Sequence, residues 1–126
     1  MISVIISARN AARPLAATLR PLIPPALDGI VRQVIAVDGR SSDSTAKVAD
    51  DARADIVESA GDRGAQLADG AARARFPWLL FLDAGTVLED GWEQNATTFM
   101  RRVDCGEWAV AAGASTRLYG KMEMAP

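Results

Sequence analysis

The stretch VRQVIAVDGRSSDST, residues 31 to 45, combines a β-branched run, a carboxylate at its end and a polar loop. The β-branched run favours a buried strand. Apolar positions at helical spacing predict a short helix over residues 45 to 52, after the loop. The stretch is therefore interpreted as a strand–loop–helix unit, with Asp38 at the tip of the strand.

The same alternation of strand and helix runs along the rest of the chain. Strands are predicted for residues 2–7, 31–38, 55–59, 78–82 and 107–113, and helices for 15–22, 45–52, 62–75 and 92–103. The two prolines and the glycine of residues 23–29 are expected to stop the first helix and to supply the turn. Alternating strands and helices imply right-handed crossovers and a parallel sheet covered on both faces. The predicted fold is α/β, Rossmann-like, in one domain over residues 1–126.

The amino-acid composition excludes several kinds of partner and of catalytic group. The chain has 126 residues, 49% of them hydrophobic, which suits one globular core. Its net charge of −2 and the absence of a basic block argue against a nucleic-acid partner. No histidine is present, so imidazole is excluded as a base or metal ligand, and the single Cys105 forms no internal disulfide.

No apolar run reaches the length of a transmembrane segment, and the start lacks a basic signal region, so a cytoplasmic location is expected.

Ligands of an open parallel sheet bind beyond the carboxyl ends of its strands. The predicted strands end at the loops SARN (7–10), DGRSSDST (38–45), SAGDRG (59–64) and DAGT (83–86). Three of these loops place a carboxylate on or just after the strand, a costly position for charge unless something polar binds there. A GxGxxG turn or a GxxxxGK[ST] phosphate loop is absent after the first strand. The sequence predicts a polar ligand at this edge, held by neither of those two motifs.

Taken together, four segments carry a resemblance to a known family. They are SVIISARN (3–10), VIAVDGRSSDST (34–45), RGAQLADGA (63–71) and WLLFLDAGT (78–86). In this order they resemble the nucleotide-binding half of a family 2 glycosyltransferase with a GT-A fold. The resemblance implies that Ala8 and Arg9 flank the base, that Asp38 contacts the nucleoside, and that Arg63 approaches the nucleoside and diphosphate.

Each of these assignments has a structural alternative. The alternative for Asp38 is that it caps its own turn. Arg63 would otherwise be a solvated charge, although the start of a helix disfavours a cation, which supports a ligand role. The polar residues Ser41, Ser42 and Asp43 are interpreted as caps of the following helix rather than as ligands.

Asp83 begins a segment that resembles the DxD motif of the family. The resemblance implies that such carboxylates hold the ribose and a divalent cation, Mn or Mg, which bridges the diphosphate. Here the motif is Asp83-Ala84-Gly85, so glycine replaces its second carboxylate and the cation site is expected to be weakened. Glu89 or Asp90 would substitute only if the loop folded back. Alternatively, Gly85 simply makes a turn and Asp83 bonds to the loop.

The function implied by the resemblance is transfer of a sugar, with inversion, from a nucleoside diphosphate sugar to an acceptor hydroxyl. Fewer residues follow Asp83 than an acceptor half requires, and none is identified as the general base. A non-catalytic nucleotide-sugar binding module, or an inactive remnant, is therefore the alternative, and a plain α/β interaction domain is a third. Because a sheet of this family normally continues further, a homodimer is also expected. The sequence does not identify the sugar, the base or the acceptor.

Overall fold

The computed structural model describes residues 1–102, 106–109 and 117–120. Within these residues the strands are β1 Ile2–Ala8, β2 Val31–Asp38, β3 Asp55–Glu58, β4 Trp78–Asp83, β5 Gly106–Ala109 and β6 Arg117–Gly120. The helices are α1 Ala12–Leu19, α2 Ile23–Leu27, α3 Thr45–Asp51, α4 Arg63–Ala72 and α5 Trp92–Arg102, with a 3-10 turn Arg20–Leu22 between α1 and α2. The strands form one sheet in the order β3-β2-β1-β4-β6-β5.

The first four strands are parallel, with β1 in the middle between β2 and β4. Every residue of β1 is buried, which explains why this strand is apolar with little alternation. Its side chains point alternately to the two faces of the sheet. Ile2, Val4 and Ile6 belong to a core that includes residues of α1, α3 and α5, whereas Ile5 belongs to a second core packed under α4. The predicted α/β fold with helices on both faces is confirmed.

The far side of the sheet departs from the sequence prediction. β6 pairs antiparallel with β4, and β5 pairs antiparallel with β6, whereas only parallel strands were expected. The predicted strand 107–113 corresponds to β5, and its residues 110–113 lie outside the described residues. Helix α5 lies between β4 and β5, so the order of elements here is the same as in a parallel crossover. Only the pairing of β6 with β4 reveals that this part of the sheet is antiparallel.

The prediction for residues 23–29 was wrong in one respect. The two prolines do not only terminate a helix, because they occupy the first positions of the short helix α2. Proline suits the first turn of a helix, where its missing N–H has no intrahelical partner and its fixed φ is already helical. Among the described residues, no helix combines the length and the apolar character that crossing a bilayer demands.

Candidate functional site

The register of the sheet brings the predicted site residues to one edge. Ala8 of β1 lies opposite Asp38 of β2, and Ser7 of β1 lies opposite Asp83 of β4. Neighbouring strands are about 4.8 Å apart, so the backbones of Asp38 and Asp83 are separated by roughly 10 Å. Arg63 reaches the same edge from the first position of α4. We call this group, Ala8, Arg9, Asp38, Arg63 and Asp83, the carboxyl-edge site.

Asp83 is held by two side chains from different elements. The hydroxyl of Ser7 donates to its Oδ1 at 2.8 Å, and Nε of Arg63 donates to the same oxygen at 2.6 Å. The side chains of Arg63 and Asp83 are 48% and 34% exposed, so the pair lies at the surface of the site. The cation at the start of α4 is therefore compensated by a carboxylate from the end of β4. Arg63 is neither an isolated solvated charge nor remote from the strand ends.

Gly85 closes the loop after β4 in a conformation that favours glycine. Its φ is +107°, in the region that side chains disfavour. Its N–H donates at 2.8 Å to the hydroxyl of Thr18, which is buried in α1 and itself donates to the Pro14 carbonyl at 3.1 Å. The turn is thus fixed against α1. Gly85 therefore makes the turn after β4, whereas the Asp83 side chain bonds to Ser7 and Arg63 rather than to the loop. The role of Thr18 was not foreseen because nothing local links it to Gly85.

The loop after β2 is tied to the loop after β1 by side chains. Asn10 accepts hydrogen bonds from the N–H of Ser42 at 2.8 Å and from its hydroxyl at 3.2 Å, and its own N–H donates to Ser41 Oγ at 2.8 Å. Asp43 accepts from the N–H of Ala12 at 3.3 Å. The expected N-cap role of Ser41 and Ser42 is wrong, because these residues bridge two loops instead of capping α3. These bonds hold the loop after β1 and the loop after β2 together at the carboxyl edge.

Asp43 also bonds to the start of α3. The N–H of Thr45 donates to Asp43 Oδ1 at 3.0 Å, and the Thr45 hydroxyl donates to the same oxygen. These bonds, the one from the Thr45 hydroxyl above all, lower the pKa of the exposed Asp43 carboxyl below its usual value. Asp43 is therefore interpreted as a structural carboxylate that stays ionised at neutral pH.

Asp38 does cap its own turn, as its structural alternative proposed. The N–H of Ser41 donates to Asp38 Oδ1 at 3.0 Å, and the Asp38 carbonyl accepts from the N–H of Ser59 at 2.9 Å. The first bond uses one of the two carboxylate oxygens and fixes the orientation of the group. Turn capping and ligand binding are thus compatible at this residue.

Gly39, which has no side chain, lies beside Ala8 and Arg9. The N–H of Gly39 donates to the Ala8 carbonyl at 2.8 Å. A Cβ at Gly39 would lie 2.6 Å from Nε2 of Gln66 and 3.3 Å from Cβ of Arg9, so a side chain there would displace the Gln66 amide. Gln66 is itself buried and donates to the Gly61 carbonyl at 3.2 Å. Sequence reasoning missed Gln66, whose position in a run of small residues gives no sign that its amide lies beside Gly39.

The residues present do not make a cation site held by the protein alone. Among the described residues, no group of three or more His, Cys, Asp or Glu side chains is placed to hold a metal ion. Asp83 offers one carboxylate, which Arg63 already engages, and position 85 is glycine. Glu89 and Asp90 lie in the exposed segment before α5 and complete no such group.

Comparison with known proteins gives one family and a common fold. The model of glycosyl transferase family 2 matches residues 3–118. A structure of S. aureus TarS 1-349 is similar with a TM-score of 0.74 at 19% identity, covering 84% of this chain and 34% of that chain. TarS 1-349 in complex with UDP is similar with a TM-score of 0.71 at 18% identity, covering 84% of this chain and 33% of that one. A search of curated proteins gave no match.

A further similar structure is glucosyl-3-phosphoglycerate synthase from Mycobacterium tuberculosis, in complex with Mn²⁺, UDP and glucosyl-3-phosphoglycerate. Its TM-score is 0.60 at 24% identity, covering 67% of this chain and 33% of that chain. The chain thus spans about a third of the length of these solved structures. Such distant likeness shows the fold, whereas the family model matches nearly the whole sequence. This chain belongs to glycosyl transferase family 2, with the Rossmann-like parallel sheet of a GT-A domain.

Proposed function

We propose that the chain is the donor-binding part of a glycosyltransferase and that the carboxyl-edge site binds a nucleoside diphosphate sugar. One observation supports this most strongly. Two strand-end carboxylates, Asp38 and Asp83, and the guanidinium of Arg63 converge at the edge of a parallel sheet where such folds bind ligands. In a family 2 chain, this set of charges suits a ligand that has both hydroxyl donors and phosphate oxygens.

The nucleoside is assigned to the side of the site formed by β1 and β2. Asp38 is oriented by the Ser41 N–H, and its second oxygen would accept hydrogen bonds from the base or the ribose. Ala8 and Arg9 would flank the base, next to the bare backbone of Gly39. Bonds from ligand donors to an ionised carboxylate are among the stronger hydrogen bonds, so Asp38 would contribute much of the nucleoside affinity.

The diphosphate is assigned to Arg63. A planar guanidinium binds phosphate oxygens through two parallel hydrogen bonds, and a diphosphate carries more negative charge than one carboxylate. Binding would therefore draw Arg63 away from Asp83. Asp83, still oriented by the Ser7 hydroxyl at 2.8 Å, would then accept hydrogen bonds from the ribose hydroxyls. The ion pair between Arg63 and Asp83 would thus be replaced by two contacts with the ligand, one from Arg63 to the diphosphate and one from Asp83 to the ribose.

In the complete reaction the acceptor oxygen attacks the anomeric carbon while the bond from that carbon to the diphosphate oxygen breaks. The proton of the acceptor hydroxyl goes to a general base, and the configuration of the sugar inverts. No described residue is assigned as that base, and the acceptor is open. A divalent cation, Mn or Mg, would depend on the diphosphate and on Asp83 alone, so no step is assigned to it. We propose a nucleotide sugar rather than a polynucleotide as partner because the net charge is −2.

A non-catalytic nucleotide-sugar binding module is the second candidate. Gly85 favours it, because the turn is built around this glycine through its φ of +107° and its bond to Thr18. The site would then bind a nucleotide without the second carboxylate that the DxD motif provides.

Calorimetric titration with uridine and guanosine diphosphates, with and without manganese, tests the proposal. UDP is the first choice because two of the similar structures contain it. Binding that manganese enhances, together with slow hydrolysis of a UDP-sugar, would support the transferase. Metal-independent binding without hydrolysis would support the binding module. No binding of either nucleotide by the folded chain would refute both and leave an interaction domain.

A further inference from the structure

A cleft lies at the edge of the sheet opposite the carboxyl-edge site, where the parallel strands begin. This open cleft has a volume of about 250 Å³ and is lined by three arginines, Arg32, Arg53 and Arg75, together with Asp55 and Gln33. Arg32 is the second residue of β2, whereas Asp38 ends that strand, so the cleft is about 20 Å from the carboxyl-edge site. The cleft is therefore a separate feature, and a ligand bound there would be independent of the proposed function.

The charges of this arginine cleft are unbalanced. Three arginines and one acidic residue, Asp55, line the cleft, in a chain whose net charge is −2. The ion pairs found within the described part of the chain include none of these three arginines. Arg32 lies over the ring of Phe76, with its guanidinium carbon 5.9 Å from the ring centroid, a contact that leaves its charge uncompensated. Positive charge is thus concentrated where the protein offers little to neutralise it.

The wall of the cleft is held in place by a buried amide. Gln33 is only 6% exposed, and its Oε1 accepts from the Arg75 backbone N–H at 2.9 Å and from the Ser3 hydroxyl at 2.9 Å. Its Nε2 donates to Asp55 Oδ2 at 3.0 Å and to the Arg73 carbonyl at 3.1 Å. All four hydrogen-bonding positions of the amide are used. The backbone of Arg75 and the carboxylate of Asp55 are therefore fixed relative to β1 and β2.

The backbone of Arg53 is unusual. Its φ is +61°, and it lies just beyond the C-terminus of α3 at a position where glycine is the common choice. A non-glycine residue in this region is disfavoured, and such outliers cluster at sites of binding. Arg53 lines the cleft, where glycine would satisfy the turn but would supply no cation.

We propose that the arginine cleft binds the phosphate group of a small phosphate monoester. Guanidinium groups match phosphate in charge and in hydrogen-bond geometry, and three arginines line this cleft. The remaining wall is small and apolar, from Ala26, Val31, Val34 and Ala52, and it suits a short aliphatic portion rather than an aromatic base. The phosphate would come from a free metabolite or from the headgroup of a monoester lipid, since both present the same group.

Titration with inorganic phosphate tests the proposal, monitored by ¹⁵N NMR at the arginine Nε–H groups, with chloride at matched ionic strength as reference. Saturable shifts are expected for Arg32, Arg53 and Arg75. Arg75→Gln should weaken phosphate binding about tenfold, the effect of losing one charge-assisted hydrogen bond. Its backbone bond to Gln33 does not depend on the side chain, so the fold should be kept. Asp55→Asn should tighten binding, because it removes the carboxylate that opposes the anion.

Arg40→Gln is the matched control. Arg40 is exposed, has a φ of +59° like that of Arg53, and lies beyond the opposite end of β2, outside the cleft. Equal effects of Arg40→Gln and Arg75→Gln, or no saturable shift, would overturn the proposal. Co-sedimentation with phosphatidic acid vesicles, compared with phosphatidylcholine vesicles, separates the two sources of phosphate. Binding to the acidic vesicles that Arg75→Gln abolishes identifies a lipid headgroup, and glycerol phosphate binding without vesicle binding identifies a free metabolite.

Discussion

Nε of Arg63 lies 2.6 Å from Oδ1 of Asp83, which joins the first residue of α4 to the last residue of β4. Exposed ion pairs of this kind contribute about 0 to 1 kcal/mol to folding, so stability alone is a weak reason for the pair. Its position at the carboxyl edge suggests a different role. We propose that a bound ligand replaces this pair, with phosphate taking the place of the carboxylate beside Arg63 and hydroxyl groups taking the place of the guanidinium beside Asp83.

Arg63→Gln tests this exchange. We expect UDP affinity to fall about tenfold or more, because a charge-assisted bond to phosphate is lost. The free energy of unfolding should change by less than about 1 kcal/mol, since the pair is exposed. Calorimetry and urea unfolding measure the two quantities. Arg40→Gln, which breaks the exposed 3.8 Å pair with Glu58 near the same edge, is the control, and equal losses of affinity in both variants would contradict the assignment.

Substitutions of Asp38 separate its two roles. Asp38→Ala should weaken nucleotide binding by about 1 to 3 kcal/mol, the range for a lost bond to a charged group. Asp38→Asn keeps an oxygen for the Ser41 N–H but removes the charge, so the turn should persist while affinity still falls. Calorimetry on both folded variants gives the comparison. Unchanged nucleotide affinity in either variant would show that the Asp38 charge does not contact the nucleotide in the carboxyl-edge site.

Gly85→Asp should create a divalent-cation site that the native chain lacks among its described residues. A single carboxylate competes poorly with water for such an ion, whereas residues 83 and 85 flank one tight turn. The added Cβ has room, with Pro14 Cβ 3.6 Å away, so the cost is backbone strain at φ +107°, about 1 kcal/mol. Gly85→Ala reproduces that strain without a carboxylate. Manganese titration with UDP present should show tighter binding only for Gly85→Asp, and equal affinities in all three proteins would exclude Asp83 from a DxD-like site.

Asp43 should make stability depend on pH in the acid range. Hydrogen bonds from Thr45 lower its pKa in the folded protein. Because the folded pKa lies below the unfolded one, the stabilisation is complete above the unfolded pKa, about 3.9, and is lost as the pH falls through the folded value. Asp43→Asn removes this titration. Urea unfolding at neutral pH and below about pH 4 should therefore show a difference between the two proteins that shrinks on acidification, and a constant difference would contradict the prediction.

Self-association is also expected. Within the described residues β3 lies at an edge of the sheet, and Leu27 of α2 is 84% exposed. Exposed apolar side chains and an open edge both favour contact with a second chain. Sedimentation velocity should show a dimer whose population rises with protein concentration. A clean monomer at high concentration, with no binding of a hydrophobic dye, would count against it.

Local signals explain why much of the fold was predictable from sequence. The apolar run of β1 and the β-branched run of β2 identify strands, and helical spacing identifies α3 and α5. A carboxylate that ends such a run, as Asp38 and Asp83 do, marks the carboxyl edge because charge is costly beside a core. These inferences need only neighbouring residues, and the structure confirms where they place the elements and the strand ends.

Pairings between distant residues depended on the tertiary structure. Register alone decides that Ser7 meets Asp83, and helix placement decides that Arg63 reaches the same oxygen and that Thr18 accepts from Gly85. The antiparallel β6 and the convergence of Arg32, Arg53 and Arg75 likewise depend on how separate segments pack. Sequence specifies the local preference of each segment, but contacts across 20 to 76 residues exist only after the sheet fixes which strands are neighbours.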